Sequence, residues 1–101
     1  MIKHIVMFKL LEKAESASRE ENAVLIHKML CELPGKIPEI KFYEVGINII
    51  ESERAYDMAI ISEFESMDAL ETYLKHPEHI KAVEFIAKRR VDSKVVDYEV
   101  K

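Results

Sequence analysis

Ile2-Lys3-His4-Ile5-Val6-Met7-Phe8-Lys9-Leu10 is the stretch that decides the architecture of this chain. Strand side chains alternate with a period of two, so Ile2, His4, Val6, Phe8 and Leu10 share one face. Lys3, Ile5, Met7 and Lys9 share the other, which is apolar at its centre. An antiparallel sheet covered by helices on one side shows its second side to water and is polar there. Here both faces of one strand hold apolar side chains. Full burial of a side chain of this size stabilises by roughly 1.5–3 kcal/mol, so a wet second face is costly. A second copy packing sheet against sheet would cover it, and we predict a homodimer.

The rest of the chain supplies the sheet and its cover. Residues 12–17 are small and polar and read as a loop. Ser18 and Glu21 fit a capping box, with Ala23, Ile26, Leu30 and Leu33 at helical spacing behind it. Pro34-Gly35 cannot continue that helix, which spans 18–33. A second strand covers 39–49, its alternating sets carrying Ile40 and Phe42 against Tyr43, Val45 and Ile47. The spacing leaves open which set meets the helices. Gly46 inside this strand suggests a bulge or a close backbone approach. Residues 50–56 are a polar connection and 57–65 a third strand through Met58, Ile60, Ser62 and Phe64. Ser66 caps a short helix that His76-Pro77 breaks, and Pro77 suits the first turn of a further helix reaching Arg90. Residues 91–100 form the last strand. This βαββαβ order, with its helix pair, is the split βαβ arrangement of a ferredoxin-like α+β fold: one domain, 1–101, with a four-stranded antiparallel sheet.

Composition narrows the function. Fifteen Lys and Arg against 19 Asp and Glu give a net charge of −4, which argues against a nucleic-acid-binding face. The one basic run, Lys88-Arg89-Arg90, reads as a set of cations at a helix C-terminus. A single cysteine, Cys31, excludes an internal disulfide and multi-cysteine zinc motifs. No apolar run is long enough to span a membrane and no leader pattern is present, so a cytoplasmic setting is expected. No Gly-rich phosphate loop, Ser-His-Asp spacing or hydrolase elbow occurs, and no cofactor or metal is expected.

The segment Tyr73-Leu74-Lys75-His76-Pro77-Glu78-His79 is the most pointed in chemistry. It places a phenol and two imidazoles at a junction between helices. Histidine titrates near neutrality and suits proton transfer, and a tyrosine donates to an oxygen that gains charge. The structural alternative has Tyr73 in the core with a satisfied hydroxyl and His76 capping the helix that Pro77 begins. His4, mid-strand on an apolar face, reads either as a hydrogen-bonded core residue or as a ligand contact. His27 reads as a solvated helical residue and Cys31, near a helix C-terminus, as an unactivated thiol.

At this point the chain resembles a known family. Ile2 to Lys9, Tyr43-Glu44-Val45-Gly46, Phe64-Glu65-Ser66-Met67-Asp68-Ala69-Leu70-Glu71-Thr72-Tyr73, His76-Pro77-Glu78-His79 and Val96-Asp97-Tyr98-Glu99 together are similar to the stress-responsive A/B barrel (Dabb) domain. The resemblance spans residues 2–99. It implies a ferredoxin-like protomer whose sheet pairs with a partner's into a dimeric α/β barrel. Many members of the family have no assigned activity. One plant member is a polyketide cyclase, in which a Tyr and a His of a Tyr-x-x-His-Pro-x-His segment serve as hydrogen-bond donor and base. Tyr73 and His79 match those two positions, and His4 matches the family's N-terminal histidine.

Two classes of function follow. In the first, a small apolar or carbonyl-bearing molecule binds near Tyr73 and His79, with His4 and His76 as ligand contacts. A cyclase- or isomerase-like variant of this class uses His79 as base and Tyr73 as hydrogen-bond donor. In the second, the protein is a non-catalytic, stress-related dimer and the motif only shapes the helix junction.

Overall fold

The computed structural model describes residues 1–101 and places the two-faced strand β1 (Ile2–Leu10) inside the sheet, where its backbone is paired on both edges. Its neighbours are β5 (Met58–Phe64) and β6 (Arg90–Glu99), both antiparallel, and β4 (Phe42–Ile47) flanks β5. Three helices cover one face: α1 (Arg19–Cys31), α2 (Met67–Lys75) and α3 (Pro77–Ala87). This is the expected ferredoxin-like α+β protomer.

The core lies between that face and the helices. Ile2, Phe8 and Leu10 meet Met58, Ile60 and Phe64 from the sheet and Ala23, Ile26, Leu30, Leu70, Ala82 and Ile86 from the helices. Tyr43 and Val45 pack against the same core, which settles the orientation of β4: Phe42 and Glu44 face away. The outer face carries Ile5, Met7 and Ile61 from the central strands, with Phe42 and Val96 at its flanks. Met7, Phe42 and Val96 are exposed in the protomer.

Local signals set most boundaries. Ser18 and Glu21 form the capping box in both directions, at 2.9 and 3.1 Å. Where the structure differs from the sequence reading, the causes are physical. Residues 12–17 are not a plain loop: β2 (Lys13–Ala14) and β3 (Ala17–Ser18) pair as a hairpin. Its turn puts Glu15 and Ser16 at φ 52° and 63°, a conformation that Gly or Asn would have advertised. Helix α1 stops at Cys31, and Leu33–Gly35 continues as a single 3₁₀ turn that tolerates Pro34. The second strand is shorter than expected, because Ile40 turns back onto the Ile37 carbonyl. Gly46 makes no bulge: β4 and β5 stay in register past it, and the space beside it is open. The irregularity falls instead between β1 and β6, at Lys9 and Leu10. Finally, α3 ends at Ala87 rather than Arg90, because Arg90 joins the sheet opposite Leu10.

Candidate functional site

Helix α2 begins where Ser66 Oγ accepts from the Ala69 N–H at 3.1 Å, and its inward positions are Leu70 and Tyr73. Pro77 disfavours the helical conformation for the residue before it, and His76 is accordingly extended, at φ −65° and ψ 135°. His76 then caps α3, its Nδ1 accepting from the Glu78 N–H at 3.1 Å. The bend swings the first turn of α3 back over Tyr73. The rings of Tyr73 and His79 lie with centroids 4.3 Å apart at 45°. From the sheet, the His4 ring approaches Tyr73 edge-on at 6.1 Å.

These three side chains share the wall of one mostly apolar cavity of about 210 Å³, with Val6, Val95 and Ile86 among its other lining residues. The structure therefore brings together Tyr73, His79 and His4. It leaves His76 outside the cavity wall, with its ring nitrogen on the α3 backbone. A wider, open depression of about 450 Å³ between Lys9, Arg19 and Asp57 contains none of the four. No group of three or more His, Cys, Asp or Glu is gathered as a metal site.

Hydrogen bonds define what each group offers. His79 Nδ1 lies 3.1 Å from the Leu74 carbonyl; a carbonyl only accepts, so Nδ1 carries the proton and Nε2 keeps a free lone pair. Burial holds the His79 imidazole below its ordinary pKa, partly offset by that carbonyl, and His4 and His76 press in the same direction as burial. His4 Nδ1 bonds to the Asp97 carboxylate, and by the same reasoning its Nε2 is left unprotonated when the ring is neutral. Tyr73 is fully buried and its hydroxyl lies 3.0 Å from that of Tyr43. Burial pushes the Tyr73 phenol up to about 12, with the Tyr43 hydroxyl drawing it partly back. Tyr43 is raised further, by burial first and by Tyr73 second.

Two partners in this network escaped the sequence reading. Asp97 meets His4 only because β6 lies beside β1 with His4 opposite Asp97. Tyr43 carried one usable signal, its place in the same alternating set as Val45, once that set is known to face the helices. His27 is half-buried rather than solvated, and lies within 4 Å of the Cys31 sulfur.

Known proteins of this shape extend the picture. An uncharacterized protein of Streptomyces coelicolor is 40% identical over 80 residues, covering 78% of this chain and 79% of its own length. A dimeric protein of unknown function and ferredoxin-like fold from Bacteroides fragilis aligns with a TM-score of 0.85 at 32% identity, over 98% of this chain and 95% of that one. A dimeric ferredoxin-like protein of unknown function from Thermobifida fusca aligns at 0.84 and 26% identity, over 98% and 90%. The model of the stress responsive A/B barrel domain matches residues 2–100. With the fold, the paired faces of β1 and the Tyr73–His79 bend all in place, the chain belongs to the stress responsive A/B barrel domain family.

Proposed function

We propose that this protein is a homodimer that binds a small, largely apolar, carbonyl-bearing molecule in the cavity beside Tyr73 and His79. The observation that carries this reading is the 4.3 Å pairing of those two rings in the wall of an otherwise apolar cavity. Apolar walls with a few convergent polar groups are how small-molecule sites are built. The Tyr43 and Tyr73 hydroxyls lie 3.0 Å apart and either can donate; with Tyr43 donating, the Tyr73 hydrogen is free to meet a ligand carbonyl. Dimerisation is supported by the apolar outer face of the sheet and by the dimeric relatives. Light scattering is expected to give about twice 11.8 kDa, and a clean monomer at micromolar concentration would sink the barrel.

The unprotonated Nε2 of His79 supports a second reading, proton transfer. The base takes a proton from carbon next to the carbonyl, the C–H electron pair moves into an enolate, and Tyr73 donates to the enolate oxygen. Returning the proton to the same carbon or its neighbour completes an exchange or an isomerisation.

Titration with 2-octanone, followed by the ring resonances of His79, tests the binding reading. Tyr73→Phe is expected to weaken binding roughly five- to tenfold, the worth of about one hydrogen bond. Deuterium uptake into 2-octanone in D₂O, abolished by His79→Gln, would establish the proton transfer. If neither 2-octanone nor its carboxylated counterpart 7-oxooctanoate perturbs a cavity residue, the motif shapes the helix bend alone and the non-catalytic dimer stands.

A further inference from the structure

The basic run Lys88-Arg89-Arg90 divides between two tasks. Arg89 is held at the helix end: Nε donates to Asn22 Oδ1 at 2.9 Å, one terminal nitrogen donates to the Phe85 carbonyl at 2.8 Å, and the guanidinium lies 3.6 Å over the Phe85 ring. That is the helix-end role the sequence suggests. Arg90 makes no side-chain hydrogen bond and no ion pair, yet it is half-buried and lines the cavity of Tyr73 and His79.

Its position there is the work of the sheet irregularity. Along β6, the side chains opposite His4, Val6 and Phe8 are Asp97, Val95 and Ser93. Strict alternation would next bring Val91 to this face. Between Lys9 and Leu10 the register shifts, and Leu10 pairs with Arg90 instead. A bulge that re-aims one side chain is a recurrent device beside functional sites. Here it replaces a valine with a guanidinium in a cavity wall. The Ser93 hydroxyl, also unbonded, lies on the same wall. The nearby carboxylates are committed elsewhere: Asp92 to Tyr56 and Lys94, and Asp57 to the Leu10 N–H at 2.6 Å.

We infer that Arg90, with Ser93, is an anion-recognition point of the cavity, and that the ligand is an amphipathic monocarboxylate rather than a neutral carbonyl compound. This rests on the binding reading above and specifies its ligand. The cavity has a phenol and an imidazole near the His4 end of β1 and a guanidinium at the Leu10 end. Six residues of strand separate those levels, roughly 20 Å of backbone, and the side chains from both levels line the one cavity, which shortens the gap that a ligand has to bridge. The wall between them is Val6, Phe8 and Val95. A carboxylate at one end and a carbonyl at the other, joined by an aliphatic chain, match that order of groups. Guanidinium is suited to a carboxylate because its planar fork offers two parallel donors.

The matched probes 7-oxooctanoate and 2-octanone differ by the carboxylate, and their dissociation constants are compared by calorimetry and by ring resonances of His79. The acid is expected to bind at least tenfold more tightly, by an advantage that shrinks as salt is raised. Arg90→Gln should erase the advantage by weakening the acid at least tenfold more than it weakens 2-octanone, and Arg90→Lys should restore part of it. Arg90 has no partner to lose, and thermal unfolding of each variant checks that the fold is intact. Equal binding of the two probes in the parent protein, or an advantage that survives Arg90→Gln, overturns the role of Arg90. In that case 2-octanone binding that still depends on Tyr73 leaves the cavity reading standing. Failure of both probes to bind overturns the two together.

Discussion

The Tyr43–Tyr73 pair joins two phenols at 3.0 Å between strand and helix, and each is the other's partner inside the protein. Removing one partner of a buried pair leaves the other with an unmet group, at a cost of about 1–3 kcal/mol, while removing both is cheaper than the sum. Tyr43→Phe and Tyr73→Phe are therefore each expected to lower stability by that amount in urea unfolding. The double variant should fall clearly short of additivity; full additivity would show that the two hydroxyls do not interact. The same burial shapes the pH profile from both sides. His79 titrates below its ordinary 6.5 when folded, so the unfolded chain binds the proton first. Stability is then full above pH 6.5 and is lost as pH falls through the window beneath it. His79→Gln should flatten that acid slope. Tyr73 is raised from 10 to about 12, so its contribution is full below pH 10 and lost as pH rises toward 12. The loss is on the order of 2 kcal/mol, and Tyr73→Phe should reduce it.

At the scale of elements, the signals that act between near neighbours were readable and those that act at a distance were not. The capping box at Ser18, the Ser66 cap and the Pro77 break each concern residues within four positions, and all three are where the sequence put them. The β2–β3 hairpin was invisible because its turn uses Glu15 and Ser16 in the left-handed region, where side chains with a Cβ are disfavoured. Relief of that strain gives a test. Ser16→Gly is expected to raise stability by a few tenths to about 1 kcal/mol, the strain removed less the entropy that glycine loses. A loss in thermal or urea unfolding would mean that Ser16 makes a contribution the turn geometry does not explain. Gly46 shows the converse error. A glycine in a strand suggested a bulge, yet the pairing runs straight past it. The real irregularity, beside Lys9 and Leu10, has no glycine to announce it.

At the scale of the whole molecule, the two faces of one sheet have different fates. Ile61 lies on the outer face opposite Ile5, whereas Phe64 is fully buried under the helices. Ile61→Lys should leave the protomer folded and raise the dimer dissociation constant at least tenfold, measured by sedimentation equilibrium. Phe64→Lys places a charge in the core and should cost about 4 kcal/mol or more, unfolding the protomer. A dimer untouched by Ile61→Lys would show that the partner packs elsewhere.

Alternation in β1, the caps and the prolines were enough to determine the order of the four sheet strands and the helices, the ferredoxin-like protomer and the existence of a second apolar face. Periodicity and capping depend on residues a few positions apart, so a linear reading reaches them. The sequence also marked Tyr73 and His79, because the proline that turns one helix into the next lies between them. Only the tertiary structure could decide what surrounds that pair. His4 finds Asp97 across 93 positions of chain and Tyr73 finds Tyr43 across 30. Arg90 reaches the cavity wall through a register shift in the pairing of the two strands farthest apart in sequence. Those contacts follow from which strands become neighbours and in what register, and that is settled by burial of the whole core rather than by any short run of residues.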